Sequence, residues 1–310
     1  MMSIYTICDI IWKGNVKMDQ SESHSDDLLI RASARFTSKN STLFIALLSL
    51  FLYMGSDFLS KLLLSNVSIA WIALFRFSYG LPLLFFCKRD AFKSCKALTF
   101  AGANVINSVC GVYAIVAGSL SGFALAGQLR PVFLILFSAI IFKVSYSSKS
   151  WLLFLLIMSI SFLIFSMDNN VGLYANYIYI LSVALQAFVF AGLSREKDSL
   201  ISYLAVYNFC GFILTFIYIL YNQIPAPDAI KFNWMAVSGA LAMAASILNI
   251  ISLSTSFRLE VSSVSYIRLP LTLLLSGLFM GEEILSLTWL CCISVLCLVY
   301  LLSKTSARNQ

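Results

Sequence analysis

The 310-residue chain is 60% hydrophobic and 11% charged, with a formal net charge of +7 and a single histidine. That balance excludes a soluble globular domain, and cations spread along the flanks of apolar runs, not gathered in one aromatic-interleaved patch, exclude a nucleic-acid interface. His24 alone, with eight cysteines that form no C-x-x-C pair, leaves no parts for a metal centre or a histidine-based triad, so no cofactor and no catalytic residue are expected.

Residues 1–42 are polar and lack the apolar core of a signal peptide, so they read as a cytoplasmic tail. Met18 offers a second start, which leaves 1–17 either a real extension or an over-long reading of the first codon. Ten apolar stretches follow, at 43–62, 68–87, 97–118, 121–142, 151–167, 173–193, 200–221, 232–255, 261–280 and 286–303, with a second cytoplasmic tail at 304–310. A helix needs about 20 apolar residues to cross a hydrocarbon core roughly 30 Å thick. Backbone groups cannot stay unpaired in lipid, and the ten-residue alternating segments of a barrel are absent, so the spans are predicted to be helices. The fold class expected is therefore an all-α polytopic membrane protein of ten transmembrane helices, with no room for a soluble catalytic domain.

Counted from tail to tail through each connection in turn, Lys+Arg runs 5, 0, 4, 0, 2, 0, 2, 1, 1, 0, 2. Juxtamembrane cations resist translocation, so the alternation is expected to place both termini in the cytoplasm. Four cations fall inside apolar stretches: Lys61, Arg76, Arg130 and Arg268. They meet one embedded acid, Asp57. An ionised group inside a bilayer costs roughly 2.5 to 3.5 kcal/mol on insertion scales unless it pairs or faces water, which makes these residues the first candidates for function.

The fourth and ninth stretches resemble each other. Pro131 and Pro270 each enter an apolar run that ends in a charged residue twelve positions on, Lys143 or Glu282, and Trp151 or Trp289 opens the next stretch. Aligned on the prolines, the chain divides into two five-helix halves, 43–167 and 173–303. Five is odd, so the halves insert in opposite orientations, and inverted repeats of this kind build two related gates around one central site.

Ile72 to Arg76 in the second stretch, the Pro131 helix, and Ser262 to Glu282 through Pro270 and Gly281 together resemble the drug/metabolite transporter superfamily in its ten-helix EamA-type branch. The resemblance covers about 43–303. It implies an inner-membrane carrier with two inverted repeats and a central substrate cavity. The chain departs from the pattern at Phe142-Lys143, where the first repeat of the family carries Gly-Glu. Ser56 to Lys61 with the Arg76 segment is also similar to the S-adenosylmethionine uptake carriers of intracellular bacteria.

The substrate-binding candidates are Asp57, Arg76, Arg130 and Arg268, with Tyr79, Tyr113 and Tyr266 as aromatic lining able to hold an ammonium or sulfonium by cation–π contact. Tyr53, Trp71, Phe75, Tyr203 and Tyr207 are further aromatics of the same kind. Asp57 and Lys61 are four apart on one helix face; they form either a structural ion pair or a cavity acid beside a snorkelling lysine. Arg76 is either a buried partner for Asp57 or a fixed cation for a substrate carboxylate. Pro131 and Pro270 are expected to kink their helices, with Glu282 at a gate, and each adjacent arginine either answers its kink or faces substrate. Gly118 with Gly122, and Gly277 with Gly281, have helix-packing spacing.

No phosphate-binding G-x-x-x-x-G-K-[ST] loop occurs, so the expected function is secondary or exchange transport of a small charged amino-acid-like metabolite by a monomer in the lipid bilayer. Export of amino acids or drugs is the alternative within the superfamily. An enzyme acting on lipid-linked substrates is the distant one, resting only on the Glu282-Glu283 pair.

Overall fold

A computed structural model describes residues 39–87, 89–118, 120–127, 129–142, 148–167, 173–193, 200–253 and 267–281, with isolated helical residues between 289 and 301. Tyr266, Glu282, Glu283, Lys143, Gln128, nearly all of the N-terminal tail and most of the tenth stretch lie outside the described residues. Helices make up the architecture, and no strand occurs among the described residues.

The helices are α1 (Lys39–Leu63), α2 (Ile69–Ser78), α3 (Cys95–Ala117), α4 (Leu120–Gly127), α5 (Arg130–Phe142), α6 (Ser148–Met167), α7 (Leu173–Leu193), α8 (Leu200–Tyr221), α9 (Ala229–Leu253) and α10 (Arg268–Met280). Two 3₁₀ segments, Leu81–Phe86 and Arg89–Phe92, connect α2 to α3. Ten labels do not mean ten spans, because the fourth stretch is split between α4 and α5. Among the described residues, five helical segments are long and apolar enough to cross a bilayer: Asn40–Leu63, Ile69–Phe86, Ala97–Ala117, Ile201–Tyr221 and Ala229–Asn249.

Three local departures from the sequence expectation have physical causes. The second stretch leaves α-helical geometry after Ser78, and Pro82 stands near the start of the 3₁₀ segment that follows, where its missing N–H costs no helix bond. In the fourth stretch the chain breaks before Pro131: Leu129 closes a tight turn on Ala126 O at 2.9 Å, and Arg130 then opens a new helix with Pro131 in its first turn. The expected glycine ridges are not ridges either. Gly118 ends α3 while Gly122 belongs to α4, and Gly281 takes φ +65° as the left-handed cap that terminates α10.

Packing pairs α1 with α9 and α3 with α7 along their lengths. Helix α2 lies against α8 and α9, α8 also against α3, α4 against α10, and α4 and α5 against α7; α10 touches α1. The α1–α9 contact is a polar seam. Ser49 donates to Ala245 O at 2.8 Å, the Ser56 and Ser238 hydroxyls lie 3.0 Å apart, and Ser60 and Ser238 3.1 Å apart. The α3–α7 contact repeats the device, with Tyr179 donating to Ala114 O at 2.7 Å and Ser182 to Asn107 Oδ1 at 2.8 Å.

Polar groups are buried among an apolar core, while many large apolar side chains face outward. Asp57, Asn107, Asn208, Thr215 and Thr272 are buried, whereas Phe51, Ile106, Leu214, Ile217 and Leu278 are exposed. A soluble fold sorts these residue types the other way round. Tyr218, Tyr221 and Trp234 stand exposed at the α8–α9 corner, where an aromatic belt would meet a membrane interface.

Candidate functional site

Asp57 stands six residues before the end of α1 and Arg76 seven after the start of α2, so at 1.5 Å per residue both lie about 10 Å in from the same end of the bundle. The connection 64–68 is short, which forces the two helices antiparallel and brings the pair together. Arg76 Nη2 donates to Asp57 Oδ1 at 3.1 Å, and to the hydroxyls of Ser60 at 3.1 Å and Ser56 at 3.2 Å. From the other half of the chain, Arg268 Nη2 donates to Asp57 Oδ2. One carboxylate thus bridges two guanidinium groups that are 192 residues apart in sequence (268 − 76).

All three side chains are largely withdrawn from solvent, Asp57 at 7% exposure, Arg76 at 17% and Arg268 at 21%. The Phe123 ring of α4 lies under the Arg268 guanidinium at 5.2 Å, a cation–π contact that helps hold it. Arg130 opens α5. Tyr53 shares a hydrogen bond with Ser246 at 2.8 Å, and the Tyr207 hydroxyl is hydrogen-bonded to Ser108. Three of the sequence candidates, Asp57, Arg76 and Arg268, are therefore gathered into one ion-paired cluster.

The aromatic candidates divide differently. Tyr79 caps α2 at 40% exposure and Tyr113 stands on α3 at 36%, both on the bundle surface. Tyr53 and Tyr207 instead hydrogen-bond to serines of neighbouring helices, Ser246 on α9 and Ser108 on α3. Pro270 lies in the first turn of α10, two residues after Arg268.

Lys61 does other work than the i,i+4 pairing expected of it. Its Nζ donates to Val116 O at 3.2 Å and to Gly118 O, the last carbonyls of α3. A cation there meets both orphan acceptors and the negative end of the helix dipole. Lys61→Met is expected to lower stability by about 1–2 kcal/mol, read as an unfolding midpoint in micelles, and to leave ligand binding intact.

Sequence reasoning missed Thr272. It is one turn beyond Arg268 on α10 and 4% exposed, and among the described residues its hydroxyl has no hydrogen-bond partner; the Nε atoms of Arg76 and Arg268 are buried donors in the same condition. Asp57, Arg268 and Thr272, with Met54, Leu120 and Leu275, enclose a cavity of about 10 Å³. That is room for roughly one water molecule.

No family model matches the chain, and no curated protein matches it. Eighteen chains of solved structures do. One, described only as the crystal structure of a protein, superposes with a TM-score of 0.51 over 87% of this chain and 97% of that one, at 14% identity. What the two share is the fold. Helix content, membrane-length spans and this likeness together make the chain an all-helical protein with several membrane-compatible helices.

Proposed function

We propose that the chain is a secondary carrier, not an enzyme, that moves a small charged amino-acid-like metabolite across a bacterial inner membrane by alternating access. The observation that carries the reading is the Asp57–Arg76–Arg268 cluster, buried in an apolar bundle and drawn from both halves of the chain. Charges are kept at such a depth where they handle a charged solute. The arginines suit a carboxylate, which their planar fork can grip, and Asp57 suits a positive group.

Ten spans in two inverted repeats are part of the proposal, and helix pairing supports them. If spans are numbered in order and exchanged by five, the pair one–eight becomes six–three, two–eight becomes seven–three, and nine–one becomes four–six; each partner pair is in contact. Two–seven and four–nine map onto themselves and are also in contact. The proposed orientation has similar support from contacts between segments assigned to one face. Trp71 Nε1 at the start of α2 donates to Pro225 O in the α8–α9 turn at 2.9 Å, and Lys61 near the end of α1 reaches the end of α3. On the opposite face Cys87 lies 3.8 Å from Ser202 O.

The EamA-type resemblance supports the class of carrier, and that of Ser56 to Lys61 supports S-adenosylmethionine as the first substrate to try. Purified protein in liposomes preloaded with unlabelled S-adenosylmethionine is expected to accumulate external labelled S-adenosylmethionine at least tenfold above empty liposomes. Arg268→Met should abolish that accumulation. Failure to exchange S-adenosylmethionine and every member of a panel of amino-acid-like zwitterions would overturn the carrier reading.

A further inference from the structure

We infer that Asp57 is a tethered stand-in for a ligand carboxylate: Arg76 and Arg268 form an anion seat, and Asp57 fills it when no ligand is bound. The inference rests on the carrier reading for its purpose and on the geometry for its substance. A carboxylate whose two oxygens each take a guanidinium from a different helix is what an anionic ligand would offer the same two residues. The seat is built for more than Asp57 supplies. Among the described residues, two guanidinium groups on one carboxylate leave a positive charge in surplus, and three buried donors, Arg76 Nε, Arg268 Nε and Thr272 Oγ1, have no acceptor. Buried donors without acceptors are costly, and each belongs to a seat arginine or, for Thr272, lines the same pocket as Arg268 and Asp57, so the site gains from an incoming acceptor.

The adjoining pocket has a volume of about 10 Å³, roughly that of one water. Each Asp57 oxygen already takes one guanidinium, so a ligand carboxylate that takes both arginines takes them from Asp57. The exchange balances for one chemical class. When a zwitterion delivers its carboxylate to Arg76, Arg268 and the Thr272 hydroxyl, the displaced Asp57 is free to take the ligand's ammonium, and the charge of the site stays as it was. A cation with no carboxylate cannot displace Asp57, and a simple anion would strand it.

The test asks whether a free carboxylate can sit where Asp57 sits. Asp57→Ala in the full chain, purified in micelles, is expected to unfold at a lower temperature than the parent. Sodium acetate should restore at least half of the lost midpoint, and sodium chloride at equal concentration should not. Acetate should leave the parent protein unmoved, because its seat is filled, and should fail on Asp57→Ala/Arg268→Met, where the seat is dismantled. If Asp57→Ala does not fold, Asp57→Ser, which also vacates the seat, takes its place in the same comparison. Equal effects of acetate and chloride, or equal rescue with and without Arg268, would overturn the inference. Carrier and seat fail separately: acetate rescue without any zwitterion exchange in liposomes removes the carrier reading and keeps the seat, while exchange without rescue does the reverse.

Discussion

Asp57→Leu is expected to cost about 3–5 kcal/mol of stability, and adding Arg76→Leu and Arg268→Met to the same chain is expected to return most of it. Removing the carboxylate alone strands two guanidinium groups that are only 17% and 21% exposed, with the hydroxyls of Ser56 and Ser60 as their only remaining oxygens among the described residues. Replacing all three removes every charge that needed compensating and leaves apolar side chains of similar bulk. Buried ionic clusters exchanged as a unit are often neutral in stability for this reason. Three substitutions should therefore yield a more stable protein than one. Reversible unfolding of both variants in mixed micelles reads the difference directly, and a triple variant less stable than Asp57→Leu would mean that the cluster is structural. Transport should be lost in both.

How much of this was legible in the chain depends on how far each interaction reaches in sequence. Helix extents were, because apolarity over about 20 residues is a local property: α7 and α8 begin and end where the hydropathy does, at Leu173–Leu193 and Leu200–Tyr221. The break before Arg130 was half legible, since Pro131 marked the neighbourhood, but the turn at Leu129 leaves no signal a window can detect. Arg76 as a partner of Asp57 was one of two readings open from spacing, and the short connection between their helices decided it. Arg268 as the second partner was not, because nothing local ties residue 268 to residue 57. Charge counting pointed to an excess of cations around Asp57 without saying which of them would arrive.

Other elements left readable traces that a hydropathy scan passes over. Ser49, Tyr53, Ser56 and Ser60 recur at spacings of four, three and four, the seam spacing of a helix that packs along its whole length on another, and all four meet α9. Small hydroxyl side chains at those positions let α1 and α9 approach and hydrogen-bond. Thr272 carried only the weaker trace of lying four residues after Arg268. The tyrosines were beyond reach: Tyr79, Tyr113, Tyr53 and Tyr207 are alike in composition and hydropathy, and only packing leaves the first two on the surface and gives the last two serine partners on neighbouring helices.

Close helix approach also sets the second large effect, at Gly239 on α9. A Cβ there would lie 2.8 Å from Phe75 O and 3.1 Å from Phe75 C, both backbone atoms of α2 that no rotamer change can move. Gly239→Ala is therefore expected to force α2 and α9 apart at a cost of about 1–3 kcal/mol, and Gly239→Leu to exceed that. Gly102 on α3 is the control, with nothing within 4 Å of its added Cβ; Gly102→Ala should be neutral or stabilising by up to about 1 kcal/mol through helix propensity alone. Chemical unfolding in micelles reads both. The same substitution should also reach the charged cluster, because α2 carries Arg76 one residue after Phe75. A shift of α2 by even a few tenths of an ångström lengthens Arg76–Asp57 from 3.1 Å, so Gly239→Ala should weaken zwitterion exchange while Gly102→Ala leaves it unchanged. Loss of stability at Gly239 with exchange at parental levels would mean that α2 does not hold Arg76 rigidly against Asp57, and the site would then owe its geometry to α10.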